Sequence, residues 1–249
     1  MLDRPTLIVI FSSSTVAILS VLQATRDVIP ISIISAGLHV GDTLFHEIGH
    51  SIFAWLFGIP SIPAIFTFFY TDTAGGVTLM WDRQIPLQAL SLSGLAYLCY
   101  WLRKSYSPFF IYASIFALLI FILAFTEYYQ LVINYMGHGC SILMGGFFLY
   151  RAWMNIQVRH AFERWLNGLF GVFLIFDNFW FSFELVFDSV KRWDYSQKMS
   201  IIGHHDFVKI ATQLNLIDVQ LIAWYTMFLS ASTFLVATFF AAKCKVQVR

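Results

Sequence analysis

Two histidines and a glutamate fall within five residues, as His46-Glu47-Ile48-Gly49-His50. On a helix, side chains four apart project from one face a turn apart, so these two imidazoles can grip a single zinc ion. Glu47 lies beside them and can take a proton from a water whose pKa zinc lowers to about 7. Gly49 removes bulk between the ligands and lets another helix or a substrate approach. With seven His and four Glu in 249 residues, chance supplies about 0.003 such matches, which makes the pattern specific. A Glu or His in mid-bilayer costs on the order of 2 kcal/mol or more unless it is paired or functional. That cost weighs against a helix whose polar groups only hydrogen-bond to its neighbours.

A catalytic zinc usually takes three protein ligands and leaves one position open. The zincin continuation that would supply a nearby third histidine is absent, because Phe53 and Leu56 stand at its positions. The third ligand must therefore come from far along the chain. Asp206, Asp177, His138, His204 and His205 are the candidates. Asp206 stands at the entrance to an expected helix, and Asp177 lies deep in an aromatic-rich run beside Asn178. His138, between Gly137 and Gly139, is expected at a junction between spans, where glycines allow close approach. His39 and Asp42 precede His46 on the same helical stripe. They could orient an imidazole, or simply form a polar stripe facing other helices.

The elements that must position these groups follow from composition. The chain is 59% hydrophobic and 12% charged, with a mean hydropathy of +0.72. A soluble domain carries about 25% charged residues, so there is too little polar surface here to face water on all sides. Lipid is the natural solvent, and backbone in lipid must be helical or in a closed barrel. Continuous apolar runs, rather than alternating ten-residue strands, exclude the barrel. The expected fold is an all-α polytopic membrane protein, a single domain over 1–249 with six to seven transmembrane helices. The expected spans are 6–25, 29–58, 85–102, 107–126, 138–154, 165–188 and 219–242. The run Pro5 to Thr25 is long for a signal-peptide core and reads as a retained first span. Between Gly58 and Arg83, prolines, Gly75-Gly76 and β-prone residues predict a short β-hairpin or re-entrant loop after the motif helix. If all seven runs cross, the segments 59–84, 127–138 and 189–216 emerge on one side, the side nearer His46 and His50.

Net charge is +1, which gives no reason to expect a nucleic-acid partner or an acidic substrate. Cys99, Cys140 and Cys244 show neither a CxxC pair nor metal-type spacing.

The chain resembles the site-two-protease group of intramembrane zinc metalloproteases, in its compact bacterial branch without inserted domains. Three matches in order carry the resemblance, over about two thirds of the chain. They are Phe45-His46-Glu47-Ile48-Gly49-His50-Ser51 followed by Gly58-Ile59-Pro60, then Ala74-Gly75-Gly76-Val77-Thr78-Leu79 with Ser93-Gly94-Leu95-Ala96-Tyr97, and last His205-Asp206-Phe207-Val208-Lys209-Ile210-Ala211. The resemblance implies one zinc ion held by His46, His50 and Asp206, with Glu47 as general base and acid. It implies hydrolysis of a peptide bond in or near a membrane-embedded helix, with Gly75 and Gly76 helping to hold the substrate as an added strand. It also implies a multi-pass protein of a bacterial inner membrane or an equivalent membrane. Two departures stand out: Asp206 is followed by Phe207 rather than glycine, and Gly137-His138-Gly139 is extra. They leave His138 and His205 open as additional or alternative ligands. A seven-span zinc hydrolase acting on a lipid amide, and a non-catalytic metal-binding membrane protein, are the competing readings. The first places its histidine pair late in the chain without the intervening Glu; a transporter would show an internal duplication, which this sequence lacks. No peptide-binding module is visible, so substrate choice rests with the core itself or with a regulatory partner chain.

Overall fold

The computed structural model describes residues 29–67, 74–105, 109–197, 199–200 and 203–243. The expected span 6–25 lies outside these residues. Among the described residues the chain forms α1 (Ile29–Leu56), β1 (Ser61–Thr67), β2 (Ala74–Met80), α2 (Ile85–Lys104), α3 (Phe109–Leu123) and α4 (Tyr129–Met154). These are followed by α5 (Ala161–Phe187), α6 (Ser189–Gln197), β3 (Met199–Ser200), β4 (Gly203–His204), α7 (Asp206–Gln213) and α8 (Gln220–Lys243). The fold is thus predominantly helical, as the continuous apolar runs predict.

Among the described residues four helices, α2, α4, α5 and α8, are long and apolar enough to cross a membrane. Helix α3 has 15 residues, about 22 Å at 1.5 Å per residue, which is short of a hydrocarbon core of about 30 Å. Helix α1 is longer but carries His39, Asp42, His46, Glu47 and His50 along its length. Among the described residues, length and composition therefore give four crossing candidates; the expected six to seven spans include 6–25, which lies outside those residues. The outer faces of α2 and α3 expose Leu90, Tyr97, Trp101, Phe109, Tyr112 and Leu118, a contiguous apolar surface of the kind that suits lipid rather than water.

The expected boundary of the fifth span needs correction. The sequence places its start at 138 and a junction before it, whereas α4 begins at Tyr129 and runs through Gly137-His138-Gly139 without a break. Helical glycine usually costs about 1 kcal/mol against alanine, but here small residues let helices meet closely. A Cβ on Gly49 would collide with the carbonyl of Met136 and would sit 2.5 Å from the Cβ of Cys140. The close seam between α1 and α4 needs glycine at 49 and, against His46 and His50, at 137, so these glycines mark packing rather than a turn.

Segment 59–84 is a hairpin, as one of the two expected forms. Strands β1 and β2 pair antiparallel in the register Ser61↔Met80 to Thr67↔Ala74. Hydrogen bonds fix this hairpin to the end of α1: Trp55 Nε1 donates to the Ser61 carbonyl at 2.8 Å, and Ser61 Oγ to the Ser51 carbonyl at 3.1 Å. Just after β2, Arg83 donates from Nε to the Phe57 carbonyl at 3.1 Å and from Nη2 to the Ala124 carbonyl. Its guanidinium also lies 4.7 Å from the Tyr129 ring centre. One cation thereby satisfies carbonyls beyond the C-termini of both α1 and α3, where the helix dipole is negative.

The polar stretch from Lys191 to Gln213 folds into α6, the two-residue pair β3–β4 and α7. Helix α7 is amphipathic and buries Phe207, Ile210 and Ala211 in a cluster with Leu185, Val186, Val219, Ile222 and Ala223. It is thus held against α5 and α8 by apolar contact, and its first residue, Asp206, is carried toward α1.

Candidate metal centre

The motif lies in the C-terminal half of α1, where the hairpin and α7 both reach it. His46 Nε2, His50 Nε2 and Asp206 Oδ2 form a triangle with every side 3.0 Å. The other carboxylate oxygen, Oδ1, accepts from Lys209 Nζ at 3.4 Å.

The chemistry of this triangle calls for a cation. His50 Nδ1 lies 2.7 Å from the carbonyl of Ile133, and a carbonyl can only accept, so Nδ1 carries the proton. The Nε2 of a neutral His50 then presents a bare lone pair, as does the ionised Asp206 oxygen. Two acceptors stand 3.0 Å apart here, with His46 Nε2 equally near both, and a cation placed among them would satisfy all three. Zinc bonds of about 2.0–2.1 Å in a tetrahedral shell place donors about 3.3 Å apart, close to the spacing seen here. The backing of His50 by a carbonyl is also the arrangement that fixes the tautomer of metal-ligating histidines. The donor set fits a divalent ion such as zinc.

Glu47 points elsewhere, toward the hairpin. Thr78 Oγ1 donates to Glu47 Oε2 at 2.6 Å and lies 3.1 Å from the Glu47 carbonyl. A Cβ on Gly76 would stand 2.6 Å from Glu47 Cγ and Oε1 and from Thr43 Cγ2. The glycine therefore lets the backbone of β2 lie directly over the carboxylate. Glu47 and His50 are only 6% and 5% exposed, so bulk water is excluded around both. Gly76 and Thr78 are two apart on a strand and share a face, a spacing that could have marked Thr78 as the partner of Glu47 before the fold was known.

Gly137 provides room for the donors. A Cβ there would lie 2.5 Å from His50 Nε2 and 2.6 Å from His46 Nε2. His138 follows it, and one of its ring nitrogens, with the donors of His46 and Asp206, belongs to a group of ligand atoms within 4.8 Å of one another. The His138 and His46 ring centres are 4.6 Å apart and nearly perpendicular.

His205, Asp177 and Asp42 are placed outside the triangle. His205 stacks on Tyr195, with ring centres 4.6 Å apart at 18°. His204 pairs with Met199 through the β3–β4 backbone. Asp177 lies 3.9 Å from His39 Nδ1, and Asp42 is reached by Asn178 Nδ2 at 3.5 Å. Asp42 thus stands next to Asn178, which in turn reaches His138. Gly75 is exposed beside Gly76. Asn178 enters the sequence argument only as the neighbour of Asp177; an amide in the middle of an apolar helix is the mark that could have singled it out.

Comparison of the chain with protein families, with curated proteins and with solved structures finds no match, so the centre is read from its own geometry.

Proposed function

We propose that this chain is an intramembrane zinc endopeptidase, integral to a membrane through its apolar helices. The observation that carries the reading is the 3.0 Å triangle of His46, His50 and Asp206 beside a buried Glu47 that Thr78 holds under a glycine-bearing strand. His46, His50 and Asp206 would hold one zinc ion. Zinc, when bound, supplies Lewis-acid polarisation of a carbonyl and makes hydroxide accessible near neutral pH. The four apolar helices and the exposed lipid-like faces of α2 and α3 support a membrane setting.

The chain's own groups divide the work. Strand β1 pairs along one edge of β2 and leaves the other for an extended peptide to add as a strand. Gly75 and Gly76 keep that approach unobstructed, and an unfolded stretch of a substrate helix supplies the free amides such pairing needs. Glu47 takes a proton from the attacking water as the new C–O bond forms. The same carboxyl then delivers that proton to the amide nitrogen as the C–N bond breaks, and Glu47 returns to its ionised form. Thr78 fixes which oxygen faces the reaction.

Purified protein is expected to hold about one zinc per chain, and His46→Ala to lose it. Glu47→Gln is expected to retain the metal while turnover of a membrane-embedded peptide falls by about 10²-fold or more, the range typical for loss of a general base. Full activity in Glu47→Gln would overturn the mechanism. Hydrolysis of a ceramide-like lipid but of no peptide would replace the peptidase with a lipid-amide hydrolase.

A further inference from the structure

The ring of His138 is oriented from behind in the same way as that of His50. His138 Nδ1 is 2.8 Å from Asn178 Oδ1. Asn178 itself is fixed in orientation, because its Nδ2 donates to the Leu174 carbonyl at 2.9 Å and points at Asp42 Oδ1 at 3.5 Å, and both are acceptors. The amide oxygen must therefore face His138, and since it can only accept, the proton sits on His138 Nδ1. The Nε2 of a neutral His138 is left as a bare lone pair. The ring cannot easily turn away: it stacks on Phe181 at 5.4 Å and 9°, and packs against Phe207 at 4.7 Å. Neither of those neighbours offers Nε2 a hydrogen bond.

We propose that His138 is a fourth donor to the ion bound by His46, His50 and Asp206, with Asn178 and Asp42 as the chain that aims it. This inference rests on the metal-centre reading above. A histidine that donates one ring N–H to an acceptor behind it and presents the other nitrogen to a cluster of donors is the usual arrangement of a metal ligand. Here the cluster is at hand, with a His138 nitrogen in one group with the His46 and Asp206 donors. Gly137 makes the approach possible, because any side chain there would strike both His46 and His50. Catalytic zinc sometimes expands to five contacts, which leaves one place beside four protein donors for the attacking water.

The test uses the full-length chain in detergent, with cobalt(II) as the probe and a competing chelator to set the affinity. His138→Phe keeps an aromatic ring between Phe181 and Phe207 while removing the nitrogen. It is expected to weaken cobalt binding by about 10- to 100-fold and to change the visible d–d spectrum. Asn178→Leu, which keeps the His138 ring but frees its tautomer, is expected to weaken binding less. Should His138→Phe bind cobalt with wild-type affinity and spectrum while His46→Ala loses it, the fourth donor is overturned and the three-ligand centre stands. Cobalt bound unchanged in both His46→Ala and His138→Phe would remove the metal centre itself.

Discussion

The hairpin and α7 approach the same few residues of α1, but they are held there by different physics. Strands β1 and β2 are fixed by polar bonds: Trp55, Ser61 and Arg83 at the open end, where Ser61 pairs with Met80, and Thr78 on Glu47. Much of the hairpin remains exposed, including Ile62, Gly75, Gly76 and Leu79. Helix α7, by contrast, is fixed by burial, with Phe207 fully buried and Ile210 and Ala211 nearly so. The difference follows from what each must do. A ligand has to return to one place, and close-packed apolar contacts provide that. A surface that is to receive a peptide has to keep backbone accessible, which leaves hydrogen bonds and one well-placed cation to fix it.

The comparison yields a division of effects: damage to α7 should be read in the metal, and damage to the hairpin in turnover. The largest effect is expected from Phe207→Ala. Emptying a fully buried aromatic site costs about 3–5 kcal/mol, and the helix that carries Asp206 loses its main anchor. Metal affinity is expected to fall by about 10-fold or more, alongside a lower unfolding temperature. Because Phe207 also touches His138, Ile210→Ala serves as the companion, removing α7 packing elsewhere. Wild-type metal affinity in both variants would show that burial does not hold Asp206 in place. Next in size is Gly76→Val, whose side chain would have to displace Glu47 or lift β2 away. Turnover is expected to drop by about 10²-fold, the loss of a positioned general base, with one metal per chain retained. Loss of metal in that variant would mean that the hairpin also supports the ligands.

The two regions differ as much in how legible they are in the sequence. The motif's histidines stand four apart, and helix geometry alone brings them together. Asp206 lies 160 residues beyond His46, and its residue type and place at a helix entrance make it only one of five candidates; the packing of α7 is what brings it to His46 and His50. The hairpin was readable from Gly75-Gly76 and the prolines, since those residues punctuate chains for local reasons. The continuation of α4 through Gly137 and Gly139 was not, because local preference argues for a break there and only the seam with α1 explains a helix. The role of Asn178 was hidden for a related reason: a single amide says nothing of the ring 40 residues away that it orients. Periodicity and composition reported elements and solvent, while contacts between elements decided which polar groups meet.

The smallest of the expected effects gives the sharpest division. Thr78→Val keeps the shape of the side chain and the β-branching that suits a strand, but removes the hydroxyl that donates to Glu47 Oε2 at 2.6 Å. A hydrogen bond to a charged group contributes about 1.5–3 kcal/mol. If all of it serves to position the carboxylate, turnover falls by about 10- to 100-fold, since each 1.36 kcal/mol is a factor of ten in rate. Metal content should not change, because Thr78 touches none of the donors of His46, His50 or Asp206. Thr78→Ser restores the hydroxyl without the methyl group and should recover most of the activity. That rescue separates loss of the hydrogen bond from a general loosening of β2, which the serine variant would share. If valine left turnover untouched, or if serine were as impaired as valine, the bond between the hairpin and the carboxylate would be a contact without a part in the chemistry, and the hairpin would act through its backbone alone.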